Sequence, residues 1–588
     1  MRYLFIILIF FKFTYSSFAE IDLGTIVVTP NRTAEDLSKI GSSVIIISNE
    51  EIENSTYNNT SGILQEFGGF TVAQKGNRGS DPGYNIRGLQ RKYIRVLVDG
   101  IDISDITSVA EEPTYLDNIN LTNINSIEIL NGSQGTLYGS NAIAGVISID
   151  SKKADKIGLS QEILLEKGSY GSIKNSNTIK FLNNKNNIVI NVNGERSNGY
   201  SSFVDNSLSR YEKDGFYIYG ANINSNYKID ENFSLKINGR FYNQENEHDD
   251  AYSYPADSIL HYRHDKAYGL LLSLIYNSSD IKHQISYQPT YTTRINSTGS
   301  VFEYDGRRQK LEYLIFSKFS DYIDNLSGIE YMKLDADING AISEKEIYAF
   351  FSELRLPILK KTNLDISLRR EYDSYYDTFD TARLQFNHRI LNNILLKSSV
   401  GTGYRAPAAS ELFDPTYGNE NLKPEKSISY DLGFEFYMPK RYLQFNFNIF
   451  ETVIEDIITA PAPTYVSKQS IESLKTKGLE TGFEIDLLKN HTLKFNYARI
   501  LGKQEDGDSI TLVPKNKIVS NINSELTDDL EINTSYIFHN KSKDTKFNEL
   551  PTYKSLNLNI NYKLGDITKT YFKIQNIFDR ENITNRGG

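Results

Sequence analysis

Leu443-Gln444-Phe445-Asn446-Phe447-Asn448-Ile449 alternates an apolar side chain with an amide at every step. Leu443, Phe445, Phe447 and Ile449 therefore share one face of an extended strand, and Gln444, Asn446 and Asn448 share the other. The same period of two recurs along the chain beyond Lys152. Ile188, Ile190 and Val192 point one way, Phe233 to Asn238 alternates throughout, and Leu556, Leu558, Ile560 and Tyr562 stand against Asn557, Asn559 and Asn561. Two architectures accept such strands. In a soluble sandwich the apolar face meets a second sheet; in a membrane barrel it meets lipid and the polar face lines the lumen.

The amino terminus favours the barrel. Arg2, the apolar run Leu4 to Phe11 and the small residues at Ser17-Phe18-Ala19 read as a signal peptide over residues 1–19, with the mature chain starting at Glu20. Lys12 ends the run far short of the roughly 20 apolar residues a membrane helix needs. An exported chain without Cys has no disulfide staple and must hold by ladders and packing. Tyr 40 and Phe 31 against Met 3 and no Trp suit aromatic-rich strands better than helical cores. A net charge of −10 gives no support to nucleic-acid binding. Roughly 430 residues after Lys152, at about 20 per strand and connection, give on the order of 22 strands. The expected fold is an all-β transmembrane barrel of about 22 antiparallel strands over 153–588, monomeric, with its apolar face on outer-membrane lipid of a Gram-negative bacterium.

Residues 41–152 break this rhythm and read as a separate α+β plug domain inside the lumen. Ser43-Val44-Ile45-Ile46-Ile47 is a buried-strand run; Ser48 and Glu51 form a capping box for a short helix, and Thr60 is placed to cap a second through Gln65. Between signal and plug, in a segment over 20–40, lies Thr25-Ile26-Val27-Val28-Thr29, a β-branched strand with nothing local to pair with. Such a strand invites addition to another protein's sheet edge.

The chain resembles the TonB-dependent receptors. The resemblance is carried by Tyr84-Asn85-Ile86-Arg87-Gly88, Val96-Leu97-Val98-Asp99-Gly100 and Ile127 to Gly132 leading into Leu137 to Ile147 in the plug. In the barrel it is carried by Gly403-Tyr404-Arg405-Ala406-Pro407, Asn419 to Glu425 and Asn576-Ile577-Phe578-Asp579. It implies that Thr25 to Thr29 is a TonB box, pairing with the periplasmic TonB protein, and that plug arginines lock against barrel glutamates. Arg87 is the arginine in hand, with Glu425 and Glu435 as its expected partners. The companion arginine falls at Asn131, and the proline after the next glycine is Ser133. Family barrels close with one more strand and a terminal aromatic, so the end at Asn585-Arg586-Gly587-Gly588 is expected to reflect truncation. No nucleophile, base and orienter grouping, phosphate loop or zinc spacing is present, and no enzymatic activity is expected.

For cargo, the loop sequences resemble those of the family's cobalamin (vitamin B12) receptors, whose acidic side chains bind calcium. This implies Glu212, Asp214 and Asp250 as calcium ligands, with Asp249 and Asp257 as neighbours and Tyr252 and Tyr254 in the cargo-facing loop. The departure is Tyr200-Ser201-Ser202, where an acidic residue would be wanted. A ferric siderophore is the alternative cargo. Haem is disfavoured because no His lies between Tyr404 and Glu425; the pair His261 and His264 reads as loop surface. Asp335 to Glu346 satisfies EF-hand spacing, but its flanks alternate like strands, so a hairpin is expected there.

Overall fold

The computed structural model describes residues 26–27, 32, 35–74, 76, 79–80, 82–201, 213–249, 261–298, 300–320, 323–438, 442–461, 464–470, 472–504, 510–544 and 547–584. One sheet of 21 strands runs from Gly158–Lys167 to Thr568–Ile574, and each strand pairs antiparallel with the next in the sheet. Its faces are inverted relative to a soluble protein. On Tyr553–Leu564, Asn557 and Asn559 are fully buried and Asn561 nearly so, whereas Tyr562 on the opposite face is 44% exposed. The buried amides meet protein inside the lumen: Asn557 Nδ2 donates to Tyr57 Oη at 3.2 Å and Asn559 Nδ2 to the carbonyl of Glu53 at 3.2 Å. Of the two readings the alternation allows, this is the barrel. Among the described residues no helix is long and apolar enough to cross a membrane.

Among the described residues the sheet has 21 strands, in keeping with the expected number of about 22. Among the described residues no backbone ladder joins the two edge strands; they meet through Tyr571 Oη, which donates to Glu166 Oε2 at 2.6 Å.

The two ends of the sheet differ. Every connection at one end is short, such as 183–185, 278–280, 360–361 and 489–490, while the other end carries the long segments 198–215, 248–260, 406–424 and 456–473. The Asp335 to Glu346 stretch belongs to that second end as a tight hairpin. Ile323–Ile338 and Ala341–Leu359 are joined by Asn339-Gly340 with φ of 51° and 93°, and Asp337 Oδ1 accepts from Gly340 N at 2.7 Å. The aspartate closes a turn that Asn-Gly favours, and Glu346 lies down the strand as acceptor to Tyr331 and Tyr348.

Inside lies a five-stranded sheet in the order Val44–Ser48, Ile124–Asn131, Gly145–Ser151, Ile94–Val98, Ile101–Asp102. Ile127, Ile147, Ile149 and Val96 are almost wholly buried, which accounts for the unbroken apolar runs of this region: both faces are covered. Helix Asn49–Asn54 carries the expected capping box, with Glu51 N donating to Ser48 Oγ at 3.2 Å and Ser48 N to Glu51 Oε2 at 2.8 Å. Helix Thr60–Gln65 starts one residue earlier than expected. Asn59 holds the cap position and Asp117 accepts from Ser61 N at 2.9 Å, so Thr60 sits within the first turn.

Candidate functional site

The plug spans the lumen, so its two ends and its contact with the wall are the functional surfaces. At the end with short turns, Ile26–Val27 pairs antiparallel with Glu35–Asp36, in register Ile26 to Asp36 and Val27 to Glu35. The expectation of no local partner is thereby corrected: Glu35–Asp36 of the same chain supplies the ladder. Thr25, Val28 and Thr29 lie outside the described residues. Just beyond, Arg32 reaches into the barrel wall. Its guanidinium meets Glu312 at 2.7 Å and Glu330 at 3.3 Å and lies 4.9 Å from the Tyr138 ring. Glu330 also pairs with Arg369 at 2.6 Å. Sequence reasoning missed Arg32, because nothing local distinguishes one arginine in a polar segment.

The centre of the site is Arg87, buried and left-handed at φ 53°. Its Nη1 lies 2.6 Å from Asp431 Oδ1, and its Nη2 and Nε reach Glu480 Oε2 at 2.6 and 3.0 Å. The guanidinium rests 4.4 Å from the Phe450 ring. Burial alone would lower its pKa, but Glu480 and Asp431 together raise it, so the group stays charged. Two glycines make room: a Cβ on Gly69 would fall on Glu480 Oε1, and one on Gly132, at φ +78°, would come within 2.7 Å of Asp431 Oδ2.

The expected partners are therefore corrected from Glu425 and Glu435 to Asp431 and Glu480. Glu425, Asp431 and Glu435 share the strand Glu425–Met438 and the same parity, but six residues separate the first two, ~20 Å along a strand. Glu425 is saturated higher up, accepting from Arg405 Nε at 2.7 Å, Ile458 N at 2.6 Å and Lys92 Nζ at 3.4 Å. Glu435 pairs with Lys397 of the next strand at 2.7 Å. Asn131, in the companion position, donates through Nδ2 to Ser43 Oγ at 3.4 Å, and Ser133 Oγ to the Thr402 carbonyl at 2.9 Å. Neither brings a charge to the lock.

A second tie uses lysines of the wall and carbonyls of the plug. Lys517 Nζ donates to the carbonyls of Gln65, Phe67 and Phe70, the Phe67 bond being 2.9 Å, and Lys573 Nζ to those of Ser55 and Tyr57 at 2.7 and 2.9 Å.

At the end with long loops, the plug apex touches the barrel loops. Tyr200 Oη donates to the Gly76 carbonyl at 2.9 Å and Gln244 Nε2 to that of Gly79 at 2.9 Å. Arg405 binds Glu411 at 2.8 Å as well as Glu425, which anchors the helix Ala409–Phe413 of the long connection. Of the acidic loop residues, Asp214 is buried and Asp249 half-buried, and Ser201 Oγ donates to Asp249 Oδ2 at 3.2 Å, so the two loops meet. Glu212, Asp250, Asp257, Tyr252 and Tyr254 lie outside the described residues, and among those described no three His, Cys, Asp or Glu converge to hold a metal. His261 is buried at the start of a strand and His264 bonds Asn243 at 2.8 Å, so neither is loop surface.

A wall of polar-lined strands around a charge-locked plug matches two family descriptions in the order the chain presents them: TonB-dependent Receptor Plug Domain over residues 36–146, and TonB dependent receptor-like, beta-barrel over residues 161–577. The chain belongs to the TonB-dependent receptors. As such it is an outer-membrane transport protein of Gram-negative bacteria, in a family of transporters and receptors rather than enzymes. The receptor is similar to the Vitamin B12 transporter BtuB of Vibrio vulnificus, at 23% identity over 95% of this chain and 91% of the relative. To BtuB of Vibrio cholerae it shows 24% identity over 96% and 93%. Among solved structures it resembles the ferric enterobactin receptor PfeA of Pseudomonas aeruginosa, with a TM-score of 0.79 at 16% identity over 95% of each chain. It also resembles the copper transporter OprC, with 0.78 at 16% over 93% and 94%. At such identities these structures share the receptor's fold, and their differing cargoes illustrate that the fold alone does not choose one.

Proposed function

We propose that the receptor imports cobalamin or a related corrinoid, driven by TonB pairing with Thr25 to Thr29. The observation that carries this is the end-to-end match to curated vitamin B12 transporters, over nine-tenths of both chains. Calcium is proposed to order the long loops before cargo arrives. Asp214 and Asp249 supply hard carboxylate oxygens on two loops that touch, which suits a cation taking six to eight oxygen ligands, and Glu212, Asp250 and Asp257 would complete the set. Ordering the loops in advance removes an entropic cost from cargo binding. The test is equilibrium binding of cyanocobalamin to the purified full-length receptor, in calcium and then in chelator. Tight binding that needs calcium is the expected result. Absence of binding in both conditions would overturn the corrinoid reading and direct the search to ferric siderophores.

A further inference from the structure

Between the first half of the plug and the wall lies a cavity of about 740 Å³. It runs from the Arg87 lock, where Asp431, Glu480 and Gly69 line it, down to Tyr442, Asp486 and Thr492 at the level of the short turns. Part of the path that the plug otherwise fills is thus already open on the side facing away from the long loops.

Its lining has two properties. The first is an excess of negative charge. Glu435 is matched by Lys397, Glu51 and Glu484 share Lys494 at 2.7 and 3.1 Å, and Asp431 and Glu480 share Arg87. Glu50 and Asp486 have no salt-bridge partner among the described residues, leaving seven carboxylates facing three cations. An eighth carboxyl in the lining, Glu66, has its pKa raised by burial, which favours its neutral form. The second property is a set of hydrogen-bonding groups with capacity to spare. Gln444, Asn446 and Asn496 line it, none of them buried, and among the described residues no hydrogen bond occupies their side-chain amides. A low-dielectric cleft lined by one sign of charge focuses its field, concentrating cations and repelling anions.

We infer that this cavity is the exit half of the cargo's path, and that it passes neutral or cationic solutes rich in hydrogen-bonding groups while disfavouring polyanions. The inference rests on the corrinoid reading for its cargo, because a corrinoid is uncharged or cationic and carries peripheral amides, whereas ferric siderophores are commonly anionic. The seven carboxylates would act through their field, and the spare amides would exchange hydrogen bonds with the cargo's own.

The absence of Cys from the chain makes the test direct. In full-length receptor carrying Asn446→Cys, or Asn496→Cys as a second position, the modification rates by a trimethylammonium and a sulfonate methanethiosulfonate are compared, each normalised to its rate with 2-mercaptoethanol. The cationic reagent is expected to react about tenfold faster, and Glu484→Gln with Asp486→Asn should shrink that ratio. Equal normalised rates at both positions would overturn the charge selectivity. A bulky maleimide adduct at Asn446→Cys should stop energy-driven uptake of cyanocobalamin while leaving surface binding intact; uptake at the unmodified rate would overturn the path. Failure of the unmodified receptor to bind or take up cyanocobalamin would overturn the corrinoid reading alone, with the rate ratio still deciding the cavity's selectivity.

Discussion

Arg87→Ala removes the one cation between Asp431 and Glu480 and leaves two carboxylates in a site where their side chains are 5% and 14% exposed. Breaking a buried ion pair from one side costs about 3–5 kcal/mol, because the remaining charge has been stripped of water without compensation. The plug should therefore loosen. With a urea slope of ~1–2 kcal/mol per molar for a unit of this size, the midpoint of plug unfolding should fall by roughly 1.5–5 M. Protease susceptibility of the plug along a urea series reads this, the barrel serving as the internal resistant fragment. The same physics predicts a rescue. Arg87→Met with Asp431→Asn and Glu480→Gln removes every charge, keeps the volume, and sets a thioether against Phe450, so most of the stability should return. Glu435→Gln, which touches only a wall lysine, should change plug stability by less than about 0.5 kcal/mol. An Arg87→Ala plug as stable as the parent, or a triple variant no better than the single one, would refute the assignment of these two carboxylates as the lock.

Three further outcomes are expected. Val27→Pro removes a ladder donor from the docking strand and should abolish uptake while surface binding persists; normal uptake would sink the TonB-box assignment. Asp214→Ala with Asp250→Ala should weaken cargo binding in calcium and make chelator irrelevant, and an unchanged calcium dependence would exclude both as ligands. Arg32→Ala leaves Glu312 to Lys310, and Glu330 to Lys310 and Arg369, and loses the charged contacts of the segment itself, which should cost about 1–3 kcal/mol in hold on the segment before the plug. Faster proteolytic cleavage of that segment is the readout, and an unaltered rate would mean the contact holds nothing.

The barrel was legible because period two maps directly onto in and out. The amides of Leu443–Glu455 and Tyr553–Leu564 line the lumen as their parity requires. Parity says nothing of height, however, and that is why Glu425 and Glu435 were named where Asp431 lies between them on the same face. Glu480 has the lumen parity of its own strand, but only the stagger of neighbouring strands puts it level with Arg87. Gly69 and Gly132 are the signal that could have helped, since glycines beside a buried ion pair mark where a carboxylate must come close. The EF-hand spacing was outweighed by its flanks, as the hairpin shows. Arg32 and the two wall lysines had no readable signature, because what they hold is distant in sequence or is backbone.

That last distinction bears on how the receptor can change over generations. Lys517 and Lys573 grip carbonyl oxygens, which every amino acid supplies, so positions 55, 57, 65, 67 and 70 can exchange side chains while the grip survives. The Arg87 lock has no such tolerance: its two carboxylates, its arginine and both flanking glycines must be inherited together. Drift in the plug should therefore be free along one flank and rigidly covariant along the other, a pattern that sequences of close relatives would display without any measurement on the protein itself.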